Sequence, residues 1–218
     1  MSMSNHYGKK YYEWQKKSGE LGGALDTWKF QPYIKNDDSV LDFGCGGGYI
    51  IERLTCRRRA GVDINPVVRR EAEKRGITMY SEVYDIPSRV KFDVVISHHS
   101  LEHLENPAEI LTKLRKRTKK GGYAVHVVPI NDWRNDKKYD PHDINKHLYT
   151  WTPLLLGNLF NHCGYRIEKI DILTRAWFPL SIYYYRFIPK QLMPIYSIAS
   201  FLWAFMLRAR QIRIVARV

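Results

Sequence analysis

Short apolar runs recur along this chain, separated by stretches whose apolar residues return every three or four positions. The runs SVLDF (39–43), AGVDIN (60–65), ITMYSEV (77–83), FDVVIS (92–97) and YAVHVVP (123–129) have the length and content of strands. FDVVIS is a continuous apolar run, the kind covered on both faces. Between the runs, YIIERL (49–54) has helical spacing. NPVVRREAEKRG (65–76) opens on Asn-Pro and closes on glycine as a helix does, and NPAEILTKLRKRTKKGG (106–122) runs into a Gly-Gly stop. Strands alternating with helices at this spacing predict a doubly wound α/β sheet. Beyond it the pattern predicts a helix at 153–163, a strand YRIEKIDIL (165–173) and a last strand RQIRIVARV (210–218), whose alternation suits a sheet edge. With no internal repeat or low-complexity linker, one domain over 1–218 is the expectation.

LDFGCGGG (41–48) places four glycines between the first strand and YIIERL. A glycine-rich turn there lets the backbone approach a ligand and aims N–H groups at it. The spacing fits GxGxG better than the dinucleotide pattern GxGxxG, because Tyr49 occupies the sixth position. Asp42 adds an acceptor at the strand end. Asp63 ends the second strand about twenty residues on, placed to hold ribose hydroxyls. Asp85 follows the third strand, placed for an exocyclic adenine amine with Ile64 and Ile86 on either side of the ring. A single aspartate of this kind suits a turn or cap. Three at consecutive strand ends point to a nucleoside.

In this order, LDFGCGGG, GVDIN, YDIP, FDVVIS, SLEHLENP and KKGGYAVHVVP resemble the class I S-adenosylmethionine-dependent methyltransferases. HLYTWTPLLLGNLFNHCGYRI continues the likeness in the manner of the small-molecule and sugar-directed branch. The resemblance implies a Rossmann-like sheet of seven strands, mostly parallel with an antiparallel final strand and helices on both faces. It implies S-adenosyl-L-methionine as cofactor and S-adenosyl-L-homocysteine as product. Gly44, Cys45, Gly46 and Gly48 would line the methionine moiety, with Asp42 near its amino group. Asp63 would hold the ribose and Asp85 the adenine amine, while Ser97 and His98 flank the sulfonium. Gly47 stands where many relatives carry a larger residue. Residues 1–38 would form a helical lid, 39–130 the cofactor core, 131–164 the acceptor-side loop and helix, and 165–218 the last strands with an apolar insertion at 177–207. Tyr7, Tyr11 and Trp14 share one face of the first helix, either as plain packing or as a lid in which Tyr11 meets the cofactor.

Methyl transfer from a sulfonium is an in-line displacement, in which alignment alone can contribute about 7–11 kcal/mol. A hydroxyl acceptor also wants a base, worth about 10²–10⁴-fold. His147, in DINKHLYTW after the fifth strand, is the first candidate, with His103 and His98 behind it, whereas His126 reads as a core residue. Ubiquinone-biosynthesis O-methyltransferases carry an acidic residue three positions before a Glu-His pair and use the trio with a divalent metal. Here His99 stands at that position, before Glu102 and His103, so no metal is expected.

Charge and the cysteines adjust this picture. The formal net charge of +13 invites polyanionic partners or reflects solvated helix faces. RNA is therefore an alternative acceptor. No RNA-binding module is appended, however, and ISHHS stands where base-amine methylators carry an NPPY-like tetrad, so nucleic acid is not the expected partner. A non-catalytic scaffold is the other alternative. Cys45, Cys56 and Cys163 suggest neither a disulfide framework nor a zinc site, and MSMSNHYGKK lacks the apolar core of a signal peptide, so a cytoplasmic setting is expected. In 177–207 only Arg186 and Lys190 are charged, but the uncharged run Gln191–Leu207 is short of the roughly 20 residues a span needs. The segment could cap an apolar acceptor, form a dimer face, rest on a membrane surface or complete the core. The expected activity is methyl transfer to a hydroxyl of a sugar, glycan precursor or lipid-linked small molecule.

Overall fold

Seven strands form one sheet: β1 (Ser39–Phe43), β2 (Arg58–Val62), β3 (Thr78–Tyr80), β4 (Phe92–His98), β5 (Thr118–Ile130), β6 (Arg166–Thr174) and β7 (Arg210–Arg217). The structure, a computed structural model, describes residues 9–130, 138–143, 145–174, 178, 180–207 and 209–218, with the backbone alone at 9–15, 182 and 190. The strand order is β3-β2-β1-β4-β5-β7-β6, parallel from β3 to β5, with β7 antiparallel to both its neighbours. Side-chain alternation explains the layering. Val40, Val94, Ile96, Val125 and Val215 share one core with Phe30, Leu54 and Ala72. Leu41, Phe43, Val95, Ala124 and Ile214 share the other with Leu111, Leu156 and Phe160. Central strands are thus apolar at successive positions, and each face needs its own helices.

The helices are α1 (Lys9–Asp26), α2 (Pro66–Glu73), α3 (Pro107–Arg117), α4 (Pro153–His162), α5 (Ser181–Tyr184) and α6 (Met193–Met206). α2, α3 and α4 start alike. Proline takes the first position, and the side chain before it (Asn65, Asn106, Thr152) accepts a backbone N–H of the first turn.

Four expectations change. YIIERL forms only a 3₁₀ turn, Ile51–Arg53. The Arg59 guanidinium takes the carbonyls of Ile51 and Leu54, and Arg53 takes that of Tyr49, so side chains hold carbonyls that a continuing helix would use. The third strand is cut to Thr78–Tyr80 and followed by a 3₁₀ turn at Val83–Asp85. The Gly-Gly pair does not stop α3, which ends at Arg117. Gly121, at φ 75°, lies inside β5 where the register with β4 shifts, and its N–H donates to the Val218 carbonyl. Finally, β7 is not the edge; β6 is. Two of its polar residues face a buried polar cluster rather than water: Gln211 reaches Lys29, and Arg213 pairs with Asp171. Tyr7 and residues 131–137 lie outside the described residues, as do the side chains of Tyr11 and Trp14.

An interior β7 makes Ile214, fully buried, a core residue of the sheet. Ile214→Ala is expected to lower unfolding free energy by about 2–5 kcal/mol in urea titration; a change well under 1 kcal/mol would mark the strand as peripheral.

Candidate active site

Asp42, near the end of β1, sits in register with Gly61 of β2 and Ile96 of β4. The chain then doubles back, and the N–H groups of Gly44 and Cys45 both donate to the Val62 carbonyl, at 2.8 and 3.2 Å. Gly44, Gly46 and Gly48 hold φ of 71, 52 and 79°, a region that side chains with a Cβ rarely adopt. At Gly44 a Cβ would also stand 2.0 Å from Ser100 Oγ. Gly46 and Asn65 donate their N–H groups to the two oxygens of Asp63, each at 2.9 Å. Burial pushes the Asp63 carboxyl up. Asp42 is 3% exposed with no hydrogen-bond partner among the described residues, and burial followed by the charge of Asp63 pushes its carboxyl well up. Two poorly solvated carboxylates beside a turn whose only side chain is the Cys45 thiol call for an ammonium and hydroxyl donors. The amino group and ribose of S-adenosylmethionine are such groups, so the donor set fits.

The rest of the expected cofactor shell divides. Ile64 is 51% exposed and offers an apolar face beside Asp63, whereas Ile86 packs into the core and cannot form the other side of a sandwich. Asp85 uses Oδ2 to accept from the Ser81 hydroxyl and the Glu82 N–H, and the first of these bonds holds its carboxyl low. Oδ1 is the oxygen left for an adenine amine. The Cys45 thiol faces the Gly46 carbonyl and Met79 sulfur, and burial pushes its pKa well up, so it stays protonated. Ser97 is buried and donates its hydroxyl to the Phe43 carbonyl at 2.9 Å, linking β1 and β4 instead of facing a ligand.

His98 is also drawn inward. Its Nε2 lies 3.0 Å from Lys29 Nζ, which is fully buried, pairs with Asp26 at 3.0 Å and donates to Gln211 Oε1 at 2.7 Å. An ammonium only donates, so Nε2 accepts and the imidazole proton sits on Nδ1. Burial, then the Lys29 charge, holds His98 well below the usual histidine range. It anchors a polar network that reaches Arg213, whose Nη1 donates to the Lys29 carbonyl. Nothing in the periodicity of TWKF or RQIRIV marked Lys29, Asp26 or Gln211, because the cluster forms only when the segment 26–29, the end of β4 at His98 and Gln211 of β7 meet.

Beyond β4, the stretch 99–105 and the loop 147–149 converge on Glu102. His99 adopts φ 55°, strained for a residue with a Cβ, with Nδ1 3.5 Å from Glu102 Oε1. The N–H groups of Leu148 and Tyr149 both donate to the Glu102 carbonyl, at 2.8 and 3.3 Å, and the Tyr149 hydroxyl donates to the Glu105 carbonyl. These bonds lay the loop against the 3₁₀ turn Leu101–His103 and bring the His147 ring 4.9 Å from His103. Glu102, His103 and His147 each offer an atom within 4.8 Å of the others, a set able to hold a divalent cation. The set differs from the trio considered in the sequence, since His147 takes the place of His99. The Glu102 side chain is fully buried, neither carboxyl oxygen has a hydrogen-bond partner among the described residues, and burial pushes its pKa up to about 8. His126 is a core residue as expected, buried edge-on to Phe160.

Residues 20–170 match the family model of a methyltransferase domain. The chain is 31% identical over 148 residues to the ubiquinone biosynthesis O-methyltransferase of Roseobacter denitrificans, covering 62% of this chain and 57% of that protein. It is likewise 31% identical over 140 residues to the tRNA U34 carboxymethyltransferase of Shewanella loihica, covering 54% and 42%. It thus spans less than two thirds of these curated relatives. Their names carry ubiquinone biosynthesis and tRNA rather than a sugar. The fold is similar to that of a SAM-dependent methyltransferase from Archaeoglobus fulgidus, with TM-score 0.64 and 21% identity over 95% of this chain and 99% of that one. It is also similar to an N-methyltransferase from Bradyrhizobium japonicum solved with S-adenosyl-L-homocysteine, with TM-score 0.55 and 14% identity over 94% and 87%.

The raised Glu102 pKa has a thermodynamic signature. An unfolded glutamate ionises near pH 4.3, whereas Glu102 holds its proton up to about pH 8. The folded form binds the extra proton between these values, so Glu102 makes stability fall as pH rises through that window, by at most about 1.4 kcal/mol per pH unit. Glu102→Gln is expected to remove this component. Equal slopes for both proteins in denaturant titrations from pH 5 to 8 would contradict the assignment.

Proposed function

We propose that this chain, which belongs to the S-adenosylmethionine-dependent class I methyltransferases, methylates a hydroxyl of a small organic acceptor, of the sugar, glycan-precursor or lipid-linked kind. The observation that carries this reading is the position of His147, laid beside His103 and Glu102 at the carboxyl end of β4. Ligands of open α/β sheets bind at that end of the strands. The name of the Roseobacter relative, an O-methyltransferase, supports oxygen as the accepting atom.

When bound, the cofactor supplies an electrophilic methyl on a positively charged sulfur. Asp63, fixed by two amides, accepts from the ribose hydroxyls, and Asp42 receives the amino group. Asp85 Oδ1 accepts from the adenine amine, and Ile64 covers one face of the ring. His147 takes the proton from the acceptor hydroxyl. The imidazolium that forms lies close to Glu102, whose carboxyl can ionise near pH 8 and offset the new charge. His98 is held by Lys29 and keeps the end of β4 in place. The ligand-atom spacing of Glu102, His103 and His147 favours a second reading of the same site, in which a divalent cation there lowers the pKa of the acceptor hydroxyl.

His147→Ala is expected to lower kcat by about 10²–10⁴-fold while calorimetry finds the cofactor Kd nearly unchanged. Asp63→Ala is expected to weaken cofactor binding first. The opposite pattern would overturn these roles. Metal chelation should leave the wild-type rate intact if His147 acts as the base and abolish it if a cation does. A small neutral acceptor should be turned over at a rate indifferent to salt, whereas an RNA acceptor would lose binding steeply.

A further inference from the structure

The segment between β6 and β7 has two sides, and the fold uses only one of them. Tyr196, Ser200 and Ala204, spaced by four along α6, are buried. Tyr196 packs with Leu21 and Leu25 of α1, and Phe178 and Met193 close the same cluster. The Tyr196 hydroxyl donates to Ser181 Oγ at 2.7 Å, and the Tyr185 hydroxyl reaches the Glu20 carbonyl. The insertion is therefore fixed to α1 and does not hang free.

The opposite side of α6 has no such partner among the described residues. Ile195, Ile198, Leu202 and Phe205, at the i, i+3, i+7 and i+10 positions, form an outward stripe flanked by Phe201 and Met206, and all six are exposed. Ile195 and Ile198 are 64% and 63% exposed, and Phe187, in the turn before α6, is 76% exposed. Single exposed apolar side chains are ordinary, but a contiguous outward stripe on an ordered helix marks an interaction surface. Among the described residues no helix is long and apolar enough to cross a membrane, so the stripe is not a span.

Charge decides what covers it. From residue 172 to 218 the chain contains seven Lys and Arg and no Asp or Glu. Of the seven, Arg213 and Arg217 pair with Asp171 and Glu168 in the sheet, whereas Arg186 lies over the Phe187 ring beside the insertion; from outside that stretch, Lys17 of α1 lies over Tyr183. An apolar face bordered by cations and lacking acids complements anionic headgroups above an acyl layer. The same borders would repel each other across a symmetric dimer, because each would meet like charge. We propose that the outward face of α6, with the Phe187 turn, seats this protein on an anionic phospholipid surface. The helix lies in the interface with its axis along the membrane, and Lys17 and Arg186 meet lipid phosphates. α1, which receives the inner side of the insertion, leads directly through Asp26 to the Lys29–His98 network at the end of β4. The docked face and the reaction site thus share one helix. The inference does not depend on the acceptor's identity.

The test is co-sedimentation of the full chain with vesicles rich in phosphatidylglycerol and with vesicles of phosphatidylcholine alone. Binding to the anionic vesicles is expected, at least about tenfold weaker on phosphatidylcholine and weakened by high salt. The double variant Ile198→Glu/Phe205→Glu changes only water-exposed side chains. It is expected to lose vesicle binding by at least about tenfold while keeping the wild-type cofactor Kd in calorimetry, which also shows that it is folded. Lys17→Glu/Arg186→Glu should lose anionic selectivity. No sedimentation of the wild type, equal binding to both lipids, or a dimer in light scattering that the double variant dissociates while vesicle binding is absent would each overturn the proposal. None of these outcomes touches methyl transfer, which cofactor calorimetry tests separately.

Discussion

The structure depends on the carboxylate of Asp63. It stands at the tip of β2, yet its two oxygens are taken by amides from two different elements, Gly46 in the turn after β1 and Asn65 at the start of α2. That pair of bonds fixes the turn, orients the N-terminus of α2 and leaves the carboxylate directed by the fold. Asp42 lies close enough to feel its charge. Two acids in poor solvent raise the free energy of the site, and a cation with hydroxyl donors would relieve it. The site is prepared electrostatically for such a ligand before it arrives.

A second arrangement of buried charge lies on the other side of β4. Asp26 and Lys29 form a fully buried ion pair, extended by His98, Gln211 and Arg213. Breaking such a pair by removing one partner typically costs about 3–5 kcal/mol. The network joins the end of α1, the end of β4 and the interior strand β7, so the wall of the reaction site is set by segments far apart in sequence. Glu102 is the counterpart on the outer side: its backbone carbonyl ties down the His147 loop while its carboxyl is buried among histidines with no hydrogen-bond partner among the described residues. One residue thereby joins the clamp on the loop to the buried carboxyl beside His147.

The insertion between β6 and β7 couples these regions to the surface. Its inner residues complete a small core with α1, and its outer residues are exposed among the described residues. A helix so apolar on both sides is stable in water only where something else receives the outer side.

Local sequence determined the parts whose physics is local. Continuous apolar runs with helices between them pointed to the doubly wound sheet, because a strand buried on both faces can be read from its own residues. The glycines of LDFGCGGG, the carboxylate of Asp63 and the Asn-Pro helix starts are likewise dictated within a few residues, by positive φ and capping. Tertiary structure decided the rest. Ser97, His98 and Ile86 looked exposed to ligand from their place at strand ends, but Phe43, Lys29 and the core claim them. RQIRIV looked like an edge because its polar residues alternate, but alternation records only that one side is polar, and here that side is a buried ion network. His147 met Glu102 and His103 only through backbone bonds across more than forty residues of sequence. Contacts of that range carry no periodic signal, because they are selected by the folded backbone and not by any neighbour along the chain.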